Sequence, residues 1–78
     1  MCEFKVTMRT RDGESTIAED IIRAYYEDGK LVLVDILGNK KYVENALISS
    51  IDVSRERLEI LQQPGLEQEL RKKRGNKI

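Results

Sequence analysis

Apolar and polar positions alternate along most of this chain. Cys2, Phe4, Val6 and Met8 interleave with Glu3, Lys5, Thr7 and Arg9. That strict period of two puts four apolar side chains on one face of a strand. Arg11-Asp12-Gly13-Glu14 turns the chain, and residues 16–27 carry a second strand bent near Glu19-Asp20. On it Ile22, Ala24 and Tyr26 share one face, and Ile21, Arg23 and Tyr25 share the other. Ile17, Ile21, Ala24 and Tyr25 also fit helical spacing, so a three-turn helix is the competing expectation there. Asp28-Gly29 is a hairpin signal, because both residues accept the positive φ that a tight turn needs. It leads into Leu31-Val32-Leu33-Val34-Asp35-Ile36, a branched, mostly apolar run suited to a central strand. Leu37-Gly38-Asn39-Lys40 turns again. Lys41-Tyr42-Val43 is a short strand and residues 47–53 a longer one. Ser54-Arg55-Glu56 then turns the chain into a last strand over residues 57–61.

Five or six short strands spaced near ten residues apart predict an all-β domain, either a small antiparallel barrel or a strongly curved sheet, over residues 1–61. The alternation of each run assigns Phe4, Val6, Ile22, Leu33, Val43, Ile51 and Leu58 to its core. Ile21, Tyr25, Val32, Val34 and Ile36 then lie on the opposite faces and are expected to meet a partner copy. A body this small buries little surface, only about 60% of what its unfolded chain exposes, which favours association into a homodimer.

Gln62-Gln63-Pro64-Gly65 closes the body, since Pro lacks an amide donor and Gly is permissive. Residues 62–78 form a tail of opposite charge. The body has nine Lys/Arg against twelve Asp/Glu, and the tail has five against two, so a neutral total hides a net of −3 and +3. Residues 66–74 place acids first and bases last, as a helix dipole prefers. Nine residues are too few for a stable isolated helix, so a flexible or short-helical basic tail is expected.

Composition narrows the function. The chain is 40% apolar and 36% charged, as in a small soluble globular domain. Its longest uninterrupted apolar run, residues 31–34, is far too short to span a membrane. No basic-then-apolar leader opens it, so no signal peptide is expected. One cysteine cannot form an internal disulfide, which points to a reducing, cytoplasmic setting. The absence of histidine removes His-based triads, HExxH zinc sites and the commonest general base. Ser49 and Ser50 therefore lack an activating imidazole, and no enzymatic activity is expected.

Three features remain as candidate chemistry. Once Met1 is removed, Cys2 offers an α-amine and a thiolate on one residue, which close a five-membered chelate ring on a metal. The next backbone amide adds a third, square-planar position, and such nitrogen and thiolate donors suit nickel(II) or copper(II). One residue fills four sites poorly, whereas a two-fold dimer that brings two copies of Cys2 together supplies the rest. The plainer reading makes Cys2 a small hydrophobe on the Phe4/Val6/Met8 face. Arg71, Lys72, Lys73 and Arg74 form a basic cluster that either contacts phosphates or keeps a near-neutral protein soluble. Tyr25 and Tyr26 are adjacent, so a strand turns one outward, to stack on a base or to pack across a dimer. Among the acids, Asp12, Asp28 and Asp52 sit near turns and are expected to accept backbone hydrogen bonds. Asp35, inside an apolar strand, needs partners, with Lys40 or Lys41 as candidates.

Met1-Cys2-Glu3-Phe4-Lys5-Val6, Leu33-Val34-Asp35-Ile36-Leu37-Gly38 and Ile51-Asp52-Val53-Ser54-Arg55-Glu56-Arg57-Leu58 together resemble the CooT family of small nickel-binding proteins, whose relatives are often labelled predicted RNA-binding proteins. The likeness spans residues 1–61, with Met-Cys as its most specific element, and leaves the tail from Pro64 outside. It implies an SH3-like small β-barrel, a homodimer, and nickel held by the cysteine after the initiator Met, here Cys2. It also implies a role, in some members, in delivering nickel to carbon monoxide dehydrogenase. The alternative is an RNA-binding module that uses the basic tail and an exposed Tyr.

Overall fold

The computed structural model describes residues 3–62. Within them the chain forms six strands and no helix: β1 (Phe4–Thr10), β2 (Gly13–Glu27), β3 (Lys30–Asp35), β4 (Lys40–Glu44), β5 (Ala46–Asp52) and β6 (Arg57–Gln62). They make one sheet in the order β4-β3-β2-β1-β6-β5. The expected all-β curved architecture is present. Its pairings are antiparallel except β1 with β6, which run parallel. A parallel pair needs a long return connection, and here the four intervening strands provide it.

β2 organises the sheet. Its first half pairs with β1 and its second half with β3, and Ile21 faces Phe4 on one side and Asp35 on the other. The bend foreseen near Glu19-Asp20 is a left-handed Asp20, φ 57°, flanked by register shifts toward both neighbours. Asp tolerates this region better than most residues, because its short polar side chain bonds locally. The helical alternative for residues 16–27 fails for a physical reason. Their amides are already committed to partner strands on both sides, and the β-branched isoleucines favour the pleat. At the β2–β3 hairpin, Asp28 and Gly29 have φ of 52° and 78°. Positive φ at both central residues is the twist-matched turn that this dipeptide foretold.

The two edge strands, β4 and β5, are consecutive in the chain and separated only by Asn45, φ 55°. That corner brings the sheet's edges together at one end, so the sheet curls. β3 and β5 lie four places apart in the sheet order yet pack on each other. Two bonds hold the curl. The Ile48 amide donates to the Tyr26 hydroxyl at 2.9 Å. Lys41 Nζ of β4 donates to the Ile17 carbonyl of β2 at 2.6 Å.

The core lies on the concave face. Val6, Ile21, Leu31, Leu33, Val43, Ala46, Leu58 and Ile60 are buried together, with Phe4, Met8 and Ala24 among the residues packed against them. Phe4, Val6, Leu33, Val43 and Leu58 thus occupy their expected places. Ile22 and Ile51 do not: they remain 49% and 61% exposed. The bulge between Ile21 and Arg23 turns Ile21, rather than Ile22, into the core. In β5 a register shift between Ile48 and Ser50 breaks the alternation ahead of Ile51.

The partner-facing set divides as well. Ile21 is a core residue and Val32 is fully buried. Val32 lies outside the concave cluster, on the convex face, where its cross-strand neighbours are Tyr25 and Tyr42. Asp35 also departs from expectation, because neither lysine pairs with it. Its carboxylate accepts from the Leu37 and Asn39 amides, each at 2.9 Å, and from Asn39 Nδ2 at 3.3 Å. A carboxylate at a strand end is reached sooner by the amides of its own turn than by long side chains.

Candidate functional site

The first described residues are held by the turn between β5 and β6. The Glu3 amide donates to Glu56 Oε2 at 3.1 Å, and the Lys5 amide donates to the Glu56 carbonyl at 2.9 Å. Glu56 therefore grips the chain on both sides of Phe4, once with its side chain and once with its backbone. It does so from a left-handed conformation, φ 53°, that non-glycine residues seldom adopt. The rest of the turn supports it. The Glu56 amide donates to the Val53 carbonyl at 3.2 Å. Ser54 Oγ and the Arg55 amide donate to Asp52 Oδ1 at 2.7 and 3.1 Å, and Arg55 Nε lies 3.7 Å from Asp52 Oδ2. The Ser54 hydroxyl bond, then the Arg55 amide, hold the Asp52 carboxyl below its ordinary range. Asp52 thus plays the turn role read from the sequence. Glu56 was missed, since no motif announces a contact between residues 53 positions apart.

Beside this clamp opens an apolar groove of about 210 Å³, lined by Phe4, Ile21, Ile22, Ala24, Ile51 and Leu58, with Arg23 at its edge. A second, polar hollow on β5 and β6 is formed by Ser50, Asp52, Arg55, Arg57 and Glu59. It mixes both charge signs, and Asp52 in it is already engaged with Ser54 and Arg55.

The convex face of β2, β3 and β4 carries Tyr25 and the 56%-exposed Tyr42 on either side of Val32. The Arg23 guanidinium sits 4.5 Å from the centre of the Tyr25 ring. A cation over the ring is a favourable contact in its own right, and it occupies one face of the ring. Tyr26 points the other way and spends its hydroxyl on β5.

Cys2, the residue singled out as a metal ligand, lies outside the described residues, as do Arg71, Lys72, Lys73 and Arg74. Among the described residues no three His, Cys, Asp or Glu side chains come together as a metal site. Nor does any helix there reach the length and apolarity needed to cross a membrane. What the fold does provide is a rigid mount for the start of β1. The clamped Glu3 directly follows Cys2, and Phe4 leads into the groove.

Against known proteins, the family model described as CooT, CO dehydrogenase accessory protein, matches residues 1–61. No curated protein matches the chain. A crystal structure from Carboxydothermus hydrogenoformans assigned to CooT superposes with a TM-score of 0.71 at 21% identity, over 80% of this chain and 98% of that one. At that identity the likeness shows the shared fold.

Proposed function

The chain belongs to the CooT family of CO dehydrogenase accessory proteins, and from that premise we propose that it carries nickel(II) for that nickel enzyme, with Cys2 as ligand in a homodimer. The observation that carries the reading is the double grip of Glu56 on Glu3 and Lys5. A metal-transfer ligand at a frayed terminus loses affinity to the entropy of ordering it, and this clamp removes much of that cost one residue downstream of Cys2.

The same grip bears on the donor set. The Glu3 amide is occupied as a hydrogen-bond donor to Glu56, so each copy offers two free donors, the Cys2 thiolate and, once Met1 is gone, its amine. Two copies then complete a four-coordinate nitrogen and sulfur set of the kind nickel(II) accepts. The protein's part is to hold and release the ion as cargo, without turnover.

Nickel(II) titration of protein with a free Cys2 amine tests the reading. About one metal per dimer is expected, with thiolate-to-metal charge-transfer absorption, because a coordinating thiol is deprotonated by the ion. Affinity should fall as pH drops, since protons compete for thiolate and amine. Cys2→Ser should abolish the band and leave the fold intact. Unchanged nickel affinity in Cys2→Ser would place the site elsewhere and defeat the reading. The RNA alternative gains nothing from the convex face. Arg23 already sits over Tyr25, and one pair along the same face Lys30 stands between Glu27 and Glu44 and lies 4.0 Å from the Glu44 carboxylate, so the lysine's charge is already met.

A further inference from the structure

We infer that the polar hollow on the convex face of β5 and β6 is a binding site for a small zwitterion, an α-amino acid with a short or polar side chain. The inference stands apart from nickel and from Cys2. Alternation places the site. Leu58 and Ile60 enter the concave core, so Arg57 and Glu59 of β6 point the other way. Cross-strand pairing sets Asp52 and Ser50 of β5 beside them. Arg55 adds a second guanidinium from the turn, and the five residues line about 220 Å³. Pockets for drug-sized ligands begin near about 300 Å³, so the occupant is small.

The charges in the hollow are not equally engaged. Asp52 accepts from Ser54 Oγ and the Arg55 amide, and its other oxygen lies 3.7 Å from Arg55 Nε. Arg57 and Glu59 are half-buried, and among the described residues neither side chain takes a hydrogen bond or an ion pair. They stand two residues apart on one strand face, about 7 Å along the strand, yet do not close on each other. A guanidinium and a carboxylate left side by side complement a molecule that carries a carboxylate and an ammonium on one carbon. Arg57 presents a fork to the carboxylate, with the Ser50 hydroxyl on the neighbouring strand, and Glu59 accepts from the ammonium. A plain anion would meet Glu59 and Asp52, and a plain cation would meet Arg55 and Arg57. Like charge therefore disfavours each half alone.

A second observation points to the same place. Thr7 of β1 pairs with Glu59 on the side away from Ser50. It is 5% exposed, and its Oγ1 is buried with no hydrogen-bond partner. A buried hydroxyl without a bond is uncommon in a folded protein and calls for a cause. This one stands next to the carboxylate of the hollow that no described residue holds. When Glu59 turns to a ligand ammonium, the Thr7 hydroxyl is placed to donate to it and fix it. Thr7 is thus a positioning residue, acting through Glu59.

The test titrates the full chain with glycine, the smallest such zwitterion, and follows backbone amides by two-dimensional NMR. Acetate and methylammonium, each carrying one half of the zwitterion, are the controls at matched ionic strength. Glycine should shift the Ser50, Arg57 and Glu59 amides with half-saturation at about millimolar concentration, and leave β3 unmoved. Each control should bind about tenfold more weakly or less. Arg57→Gln and Glu59→Gln should each weaken glycine by about tenfold, with the rest of the spectrum as the check on folding. If Arg57→Gln loses its fold, Arg57→Lys replaces it, and a smaller weakening is expected because the fork is lost. Thr7→Val should weaken glycine without lowering stability, and Thr7→Ser should restore binding. No shift at these amides up to about 100 mM glycine overturns the inference. So does acetate or methylammonium that binds as well as glycine, which would make the hollow a site for a single charge. Parent-like affinity in both Arg57→Gln and Glu59→Gln overturns it as well, and parent-like affinity in Thr7→Val overturns the role given to Thr7.

Discussion

β3 and β5 are both apolar strands, yet they end in opposite circumstances. In β3, Leu31, Val32 and Leu33 are all fully buried, although successive side chains point to opposite faces. Leu31 and Leu33 enter the concave core, while Val32 is enclosed on the convex side between the positions of Tyr25 and Tyr42. In β5, Ala46 is buried but Leu47 is 48% and Ile51 61% exposed. The cause is position in the sheet. β3 has a neighbour on each side, whereas β5 is an edge, paired with β6 alone. The difference separates two uses of apolar residues. In β3 they hold the monomer together. In β5 the outermost ones stay exposed and contribute little to the monomer. Bare edge strands invite uncontrolled pairing, and here one edge amide, that of Ile48, is already occupied by Tyr26.

The largest effect should come from emptying β3. Leu33→Ala is expected to destabilise the monomer by about 2–5 kcal/mol, the transfer and cavity cost of deleting a fully buried leucine side chain. Urea unfolding at low protein concentration reads it, and a loss below about 1 kcal/mol would break the contrast with β5. Next comes the stitch between the halves. Tyr26→Phe removes the acceptor of the Ile48 amide while keeping the ring, and should cost about 1 kcal/mol. Faster amide hydrogen exchange at Ile48, out of proportion to the global loss, would show that the bond holds the β5 edge.

The turn that ends β3 should show in the pH dependence of unfolding. The Asn39 amide, with the Asn39 side chain and the Leu37 and Gly38 amides, holds the Asp35 carboxyl below its ordinary range. A carboxylate depressed in the folded state contributes stability above its ordinary pKa, near 4, and that stability fades as pH falls through the lower folded value. Unfolding followed from pH 7 to pH 2.5 should therefore lose stability below about pH 4, and Asp35→Asn should flatten that fall. The carboxylate is exposed, so a modest change is expected. Smallest of all, Ile51→Ala should alter stability by no more than about 0.5 kcal/mol, measured by urea unfolding at low protein concentration. A larger loss would make β5 a core strand like β3.

The strands were legible in the sequence because period-two alternation and turn chemistry are local. The run read as a strand from Cys2 to Arg9 contains β1, which begins at Phe4, while Asp28-Gly29 read as the hairpin and Glu19-Asp20 as the bend, each from neighbours within a few residues. The family was legible too, from three short stretches that include Met1-Cys2. What failed was decided by non-local geometry. Ile22 and Ile51 lost their core places to bulges, which depend on the registers of partner strands and leave no mark in a residue's own run. Asp35 preferred its own turn to a lysine because of distances set when the chain closed around Gly38 and Asn39. Glu56 reached Glu3 only because β6 returns parallel beside β1. Alternation can say that a strand has two faces. Which face finds cover, and which stays exposed, follows from the order and curl of the sheet, where contacts form between residues far apart in the chain.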